Sequence, residues 1–266
     1  MLNFIVWDVD PEIFNIGGFA IRWYGLLFAL GFVFGYFIIG DMFKREKIAP
    51  KLLDSITTYM VLGTVIGARL GHCLFYEPEY YLSNPFRILK VWEGGLASHG
   101  AAIGILIALY FFTKKANKSY LWTLDRIVIV VALAGFFIRM GNLMNSEIYG
   151  NVTELPWGFI FVRWGETLPK HPTQIYEGFS YLLLFVLIYS LYLKKWTKLK
   201  NGIIFGIFLI ILFTSRFLIE FIKEPQVDFE AGMALNMGQI LSIPFIIAGI
   251  VLLINATKSA KVEKKN

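Results

Sequence analysis

The sequence has one cysteine, three histidines and little charge: only 17% of its 266 residues are Asp, Glu, Lys or Arg. A soluble domain of this length carries nearer a quarter of its residues as charges and breaks its apolar residues into short runs. The lone thiol, Cys73, excludes an internal disulfide, and beside His72 it lacks the further ligands of a metal site. It reads as a small buried hydrophobe. His72, His99 and His171 share no short spacing of the kind that holds zinc. The amino-terminal stretch has Asp8, Asp10 and Glu12 where a signal peptide would have basic residues, and no small-residue cleavage site follows. The first apolar run is therefore expected to stay in the mature protein. An inverted repeat of the kind many transporters show is also missing.

What is present is apolar length: 57% of the residues are hydrophobic, with 25 Phe and 13 Tyr among them. Seven stretches approach the roughly 20 residues that cross a hydrocarbon core. They run over 19–40, 52–76, 96–112, 121–139, 174–193, 202–222 and 235–254, the third and fourth being short. Pro244, inside the last, is expected to kink its helix without ending it. The fold class is all-α: a polytopic membrane protein of seven transmembrane helices with a small external cap.

Charge sets the direction. Fifteen of the 25 Lys and Arg fall in one set of connections, around 44–51, 114–118, 194–200 and the tail, against six on the opposite face. The positive-inside bias puts the amino terminus outside and the carboxyl terminus in the cytoplasm. That topology accounts for the net charge of +6 without a nucleic-acid partner. The outer connections, 77–95 and 141–173, are long and rich in Gly, Pro, Trp and Tyr, a composition suited to the headgroup zone. The second is expected to form the cap, with a short hairpin. Gly63, Gly67 and Gly71 make a smooth stripe on the second span, and Gly100 with Gly104 another on the third, where backbones approach closely.

Ionisable residues gather where the spans meet the outer half of the membrane: Arg69, His99, Arg139, Glu147, Arg216 and Glu220. Each alone fits a snorkelling side chain or a structural ion pair; their common level points to a functional cavity. In RMGNLMNSEIYG (139–150), Arg139 and Asn142 share a helical face, and a guanidinium held beside amides can grip a phosphate bidentately, with Glu147 orienting it. Arg216, Glu220 and Lys223 are spaced i, i+4 and i+7, climbing outward, with Arg216 too deep for a rim residue. His99, among small residues, has room to exchange a proton. His171, followed by Pro172 and Thr173, reads as part of a helix cap. These residues describe a cavity with cations for a phosphate, but no particular reaction.

The same segments, IRWYGL with Tyr24, GARLGHCLFY with Arg69, WEGGLASHGA with His99, RMGNLMNSEIYG, HPTQIYEG, SRFLIEFIKEP and MGQILSIP, resemble those of the bacterial prolipoprotein diacylglyceryl transferases, in order and over nearly the whole chain. The resemblance implies one transmembrane catalytic domain, 1–266, in the bacterial cytoplasmic (inner) membrane. It also implies transfer of the diacylglyceryl group of phosphatidylglycerol to the lipobox cysteine of preprolipoprotein signal peptides, releasing glycerol 1-phosphate, with no metal or other cofactor. Carried onto this chain, it gives Arg139 and Arg216 the phosphate, His99 the incoming thiol, and Glu147 and Glu220 the placing of the arginines. Tyr24 and Asn142 become headgroup contacts, and Arg69, Gly100 and Gly150 join the substrate-binding segments. Ala101, Met140 and Lys223 depart from the commoner pattern; Lys223, where Arg is frequent, has no planar fork and is expected at the cavity mouth. A lipid or anion transporter and a non-enzymatic membrane scaffold are the competing readings.

Overall fold

The computed structural model describes residues 4–17, 19–225 and 232–263. In chain order the elements are β1 (Ile5–Trp7), β2 (Glu12–Ile16), β3 (Phe19–Arg22), α1 (Trp23–Arg45), α2 (Lys51–Phe75), α3 (Pro78–Ser83), α4 (Ser98–Ala116), α5 (Tyr120–Met144), β4 (Phe159–Phe161), α6 (Thr173–Lys195), α7 (Ile203–Ile219) and α8 (Met237–Glu263). Short 3-10 turns cover Pro85–Leu89, Val91–Glu93, Val162–Trp164 and Glu220–Ile222. The protein is largely helical, and among the described residues six helices are long and apolar enough to cross a membrane: α1, α2, α5, α6, α7 with its 3-10 extension, and α8.

Two expectations about the spans change. The fourth is not short: α5 runs 25 residues, because the helix continues through the polar Arg139–Asn142 turn that the apolar pattern leaves out. The stretch beginning at Phe19 starts as the strand β3, and α1 opens only at Trp23, whose N–H is held by Pro11 O at 3.0 Å. α4 has 19 residues, but Ser98–His99 and Lys114–Lys115 occupy its ends, leaving an apolar middle shorter than those six helices. Pro244 does lie inside α8.

The chain divides into two compact units, 1–35 with 125–266, and 36–124. In the second, α2 and α4 pack backbone to backbone along the expected glycine stripes. A Cβ on Gly63 would stand 2.8 Å from Gly104 O, and one on Gly71 would stand 2.6 Å from Gly100 Cα. Close approach of this kind replaces the hydrophobic drive that is missing between helices in lipid with dispersion contacts. Cys73 is fully buried and free, as expected of a small hydrophobe.

In the first unit, α7 and α8 approach through Gly206 and Gly249, and Phe213 stacks on Phe245 at 4.3 Å between centroids. α7 is started from a distance: Asp125, on α5 and 2% exposed, accepts the N–H of Gly202 at 2.7 Å and of Phe205 at 2.8 Å. These are donors that a helix amino terminus leaves without intrahelical partners. The cap also belongs to this unit. β1 pairs in parallel with β4, and Trp7, Phe159, Phe161 and Leu143 form its small core, with Tyr149 stacked on Phe161 at 4.8 Å. Within 141–173, Lys170 pairs antiparallel with Phe159 and Val152, and a longer hairpin that the sequence did not suggest stands at the amino terminus, where β2 and β3 pair antiparallel.

Candidate active site

In the first unit the ends of four helices bring a chain of charges together. Arg139 lies in the last turns of α5, Glu177 one turn into α6, Arg216 and Glu220 at the end of α7, and Asn236 just before α8. Arg139 Nε stands 2.5 Å from Glu177 Oε2, and Arg139 Nη1 donates to Asn142 Oδ1 at 3.1 Å. Glu177 is fully buried, and its other oxygen accepts from Lys223 Nζ at 3.1 Å. Lys223 Nζ also donates to Glu220 Oε1 at 2.9 Å; the same oxygen lies 3.5 Å from Arg216 Nη2. Asn236 Nδ2 donates to Glu220 Oε2 at 3.1 Å. Tyr181, a turn beyond Glu177 and buried, is hydrogen-bonded to Arg139.

Among the described residues, the row from Arg139 through Glu177, Lys223 and Glu220 to Arg216 holds three cations and two carboxylates, leaving one positive charge in excess. Buried charges persist when paired and hydrogen-bonded, and the excess makes the row receptive to an anion. Arg216 is its more open end: its side chain is 34% exposed against 13% for Arg139 and 2% for Lys223.

Glu147, expected beside Arg139, acts one residue away. Its Oε1 accepts from Asn142 Nδ2 at 2.8 Å and from Asn145 Nδ2 at 3.2 Å, so Asn142 relays it to the guanidinium. Tyr24, in the first turn of α1, packs against Gly141, where a Cβ would stand 2.7 Å from its ring. Glu147 also lines a cavity of about 450 Å³ with Asn145, Asp10, Glu12, Arg22, Arg163 and Trp164. Gly150 is packed tightly: its N–H donates to His171 O at 2.8 Å, and a Cβ there would strike His171 and Thr173. It is a backbone crossing.

Lys223 corrects the sequence reading. It is 5% exposed between two carboxylates, not at a cavity mouth. The helical spacing fails because α7 ends at Ile219; a 3-10 turn follows and Lys223 is extended, at φ −93° and ψ 142°. The cap holds it there. Gly150 bridges to Lys223, Asn151 N–H donates to Ile222 O at 2.9 Å, and Lys170 pairs with Glu224 and, at 3.3 Å, with Glu166. Burial works against the Lys170 ammonium, but Glu224 and Glu166 outweigh it and raise its pKa. Burial and the hydrogen bond it donates to Glu166 raise that of Tyr149. His171 contacts Tyr176 OH at 3.3 Å, and burial lowers its pKa. No side chain caps α6: Thr173 Oγ1 donates instead to Ile148 O at 2.8 Å.

Three predicted residues lie in the second unit. His99 is the second residue of α4 and exposed, and Gly100 after it is a helix contact on Gly67 and Gly71. Arg69, expected to bind lipid, is 2% exposed and turned onto backbone carbonyls. Among residues the sequence reading missed, Glu177 was discoverable, being a carboxylate inside an apolar span. So was the Asn236–Gln239 pair, a reciprocal capping arrangement: Gln239 N–H donates to Asn236 Oδ1 at 2.9 Å and Asn236 N–H to Gln239 Oε1 at 3.0 Å. It sets Gly238 directly against the Glu220 carboxylate.

Comparison with known proteins bears on the whole chain. The profile of the prolipoprotein diacylglyceryl transferase family matches residues 11–255. A phosphatidylglycerol–prolipoprotein diacylglyceryl transferase of Tolumonas auensis is 48% identical over 255 residues, covering 96% of this chain and 98% of its own. Proteins of the same name from Chloroherpeton thalassium and Porphyromonas gingivalis are 46% and 48% identical, with 98% of both chains covered in each case. Alignment of that extent takes in every element of the charged row, and the chain belongs to the prolipoprotein diacylglyceryl transferase family.

Proposed function

We propose that the row from Arg139 to Arg216 holds the phosphate of phosphatidylglycerol while the diacylglyceryl group leaves it for a cysteine thiol. The chain is a transferase of the bacterial inner membrane. It moves the diacylglyceryl group of phosphatidylglycerol onto the lipobox cysteine of a preprolipoprotein and releases glycerol 1-phosphate. The sulfur attacks the glyceryl carbon that bears the phosphate ester, the carbon–oxygen bond breaks, and the phosphate leaves with the electron pair. Negative charge therefore grows on the leaving oxygen, and fixed cations there lower the barrier because they need no reorganisation.

The observation that carries this reading is the row's one positive charge in excess among the described residues, with Arg216 its accessible end. Arg216 and Arg139 bind the phosphate, Glu177 and Glu220 hold the guanidinia in place, and Asn142, Glu147 and Tyr24 contact the glycerol headgroup. His99 takes the thiol proton. α4 is a seventh span, packed along α2, which makes the number of spans odd and leaves the amino terminus outside and the carboxyl terminus in the cytoplasm.

The test is stoichiometric. Purified protein in phosphatidylglycerol vesicles is given a lipobox peptide, and released glycerol 1-phosphate is measured against lipidated peptide. Equal amounts of the two are expected. Lipid movement across the vesicle with neither product would favour a transporter.

A further inference from the structure

Arg69 has five N–H donors, and the segment leading to His99 takes four of them. Nε donates to Ile88 O at 2.9 Å, Nη2 to Arg87 O at 2.6 Å, and Nη1 to Gly94 O at 2.6 Å and Gly95 O at 3.3 Å. The guanidinium lies over the Tyr81 ring, 4.9 Å from its centroid. A phosphate ligand would need a fork turned outward; this one is buried and aimed at its own backbone.

The chain accepts this hold only because of two glycines. Gly94 and Gly95 have φ of 89° and 67°, where a side chain is strained, and a Cβ on Gly95 would stand 2.9 Å from Arg69 Nη1 and 2.5 Å from the His72 ring. Two residues later Ala97 N–H donates to Ala68 O at 2.9 Å, next to Arg69 itself. α4 then begins at Ser98, and Gly100 is wedged against Gly71. The backbone on either side of His99 is thus fixed to α2, by Arg69 and Ala68 before it and by the glycine contact after it.

We propose that Arg69 is a positioning residue for His99, acting through residues 87–97 rather than on the lipid. The proposal rests on the reading of His99 as the group that takes the thiol proton. Arg69 sets where the imidazole stands; it does not set how strongly phosphatidylglycerol binds. Lysine cannot replace it, because an ammonium has three donors on one nitrogen and cannot reach four carbonyls spread around a planar fork.

The experiment compares Arg69→Lys and Gly95→Ala with wild type in three readouts: kcat and KM for phosphatidylglycerol, the His99 ring signal in histidine-labelled protein, and amide exchange over 87–97. Both variants are expected to lose about tenfold or more in kcat, the scale of a small misplacement, with KM for the lipid unchanged. The ring signal should shift and exchange over 87–97 should rise. Gly95→Ala keeps the arginine, so it disturbs the hold without removing a cation. A raised KM for the lipid with kcat preserved in Arg69→Lys would overturn the proposal, and so would wild-type exchange over 87–97. Full transfer by His99→Ala would overturn the reading of His99, and this role for Arg69 with it.

Discussion

Glu177 Oε2 stands 2.5 Å from Arg139 Nε, one turn into α6 and out of contact with solvent. Among the described residues that oxygen has no hydrogen-bond partner of good geometry, so the pair is a close charge contact that the rest of the row must hold in place. Its other oxygen is tied to Lys223, which in turn meets Glu220 and through it Arg216. Removing Glu177 leaves Arg139 and Lys223 facing each other, with Glu220 the one carboxylate of the row left against three cations.

Glu177→Ala should therefore cost more than either arginine's own pairing. Breaking one partner out of a buried pair costs about 3–5 kcal/mol, so thermal unfolding of the detergent-purified variant should begin well below wild type. Glu177→Gln keeps the shape and loses the charge. It should fold better than the alanine variant yet transfer at least about a hundredfold more slowly, a loss comparable to that of an oriented donor at a charge-developing site. Near-normal transfer by the glutamine variant would show that Glu177 does not place Arg139.

Asp125 offers a stability change without a chemical one. Losing a carboxylate that caps a helix costs about 1–2 kcal/mol, and Asp125→Ala should lower Tm by a few degrees while the folded fraction keeps its specific activity. Asp125→Asn, which can still accept one of the two N–H groups, should fall between. Equal Tm for all three would mean that α7 does not depend on this contact.

The cap should carry a pH signature through His171. Burial lowers its pKa in the folded protein below the ordinary 6.5. In the window between the two values the unfolded chain binds more protons, so stability is present above about 6.5 and is lost as pH falls through the folded value. Tm measured from pH 8 to pH 5 should drop for wild type and drop less for His171→Gln. Parallel curves would exclude this residue as the cause.

Much of this was legible in the residues themselves, and the failures have physical reasons. The Gly63, Gly67 and Gly71 stripe predicts the α2–α4 contact because helical spacing alone puts those positions on one face. Arg139 and Asn142 meet for the same reason, three apart on α5. Glu177 pairs with a residue 38 positions earlier, and no local period encodes such a contact. Lys223 follows the helical period on paper but leaves it in space, because the cap seizes residues 222–224 just after α7 ends. The amino-terminal hairpin was hidden by its own apolarity: EIFNIGGFAIR reads into the first span, although two glycines between β-prone runs are a turn signal. Arg69 shows the same limit from the other side. A buried cation in a lipid enzyme suggests a phosphate, and only the four carbonyls around it reveal a backbone clamp.

The most direct test of the phosphate-holding row is the mass of a lipobox peptide after incubation with phosphatidylglycerol and protein carrying Arg139→Ala or Arg139→Lys. Wild type should add one diacylglyceryl group, dependent on the peptide's cysteine. The alanine variant should add none, and the lysine variant little, since an ammonium cannot span Glu177, Asn142 and a phosphate oxygen together. A wild-type mass increment at wild-type rate from Arg139→Ala would contradict the assignment of the row to the lipid phosphate.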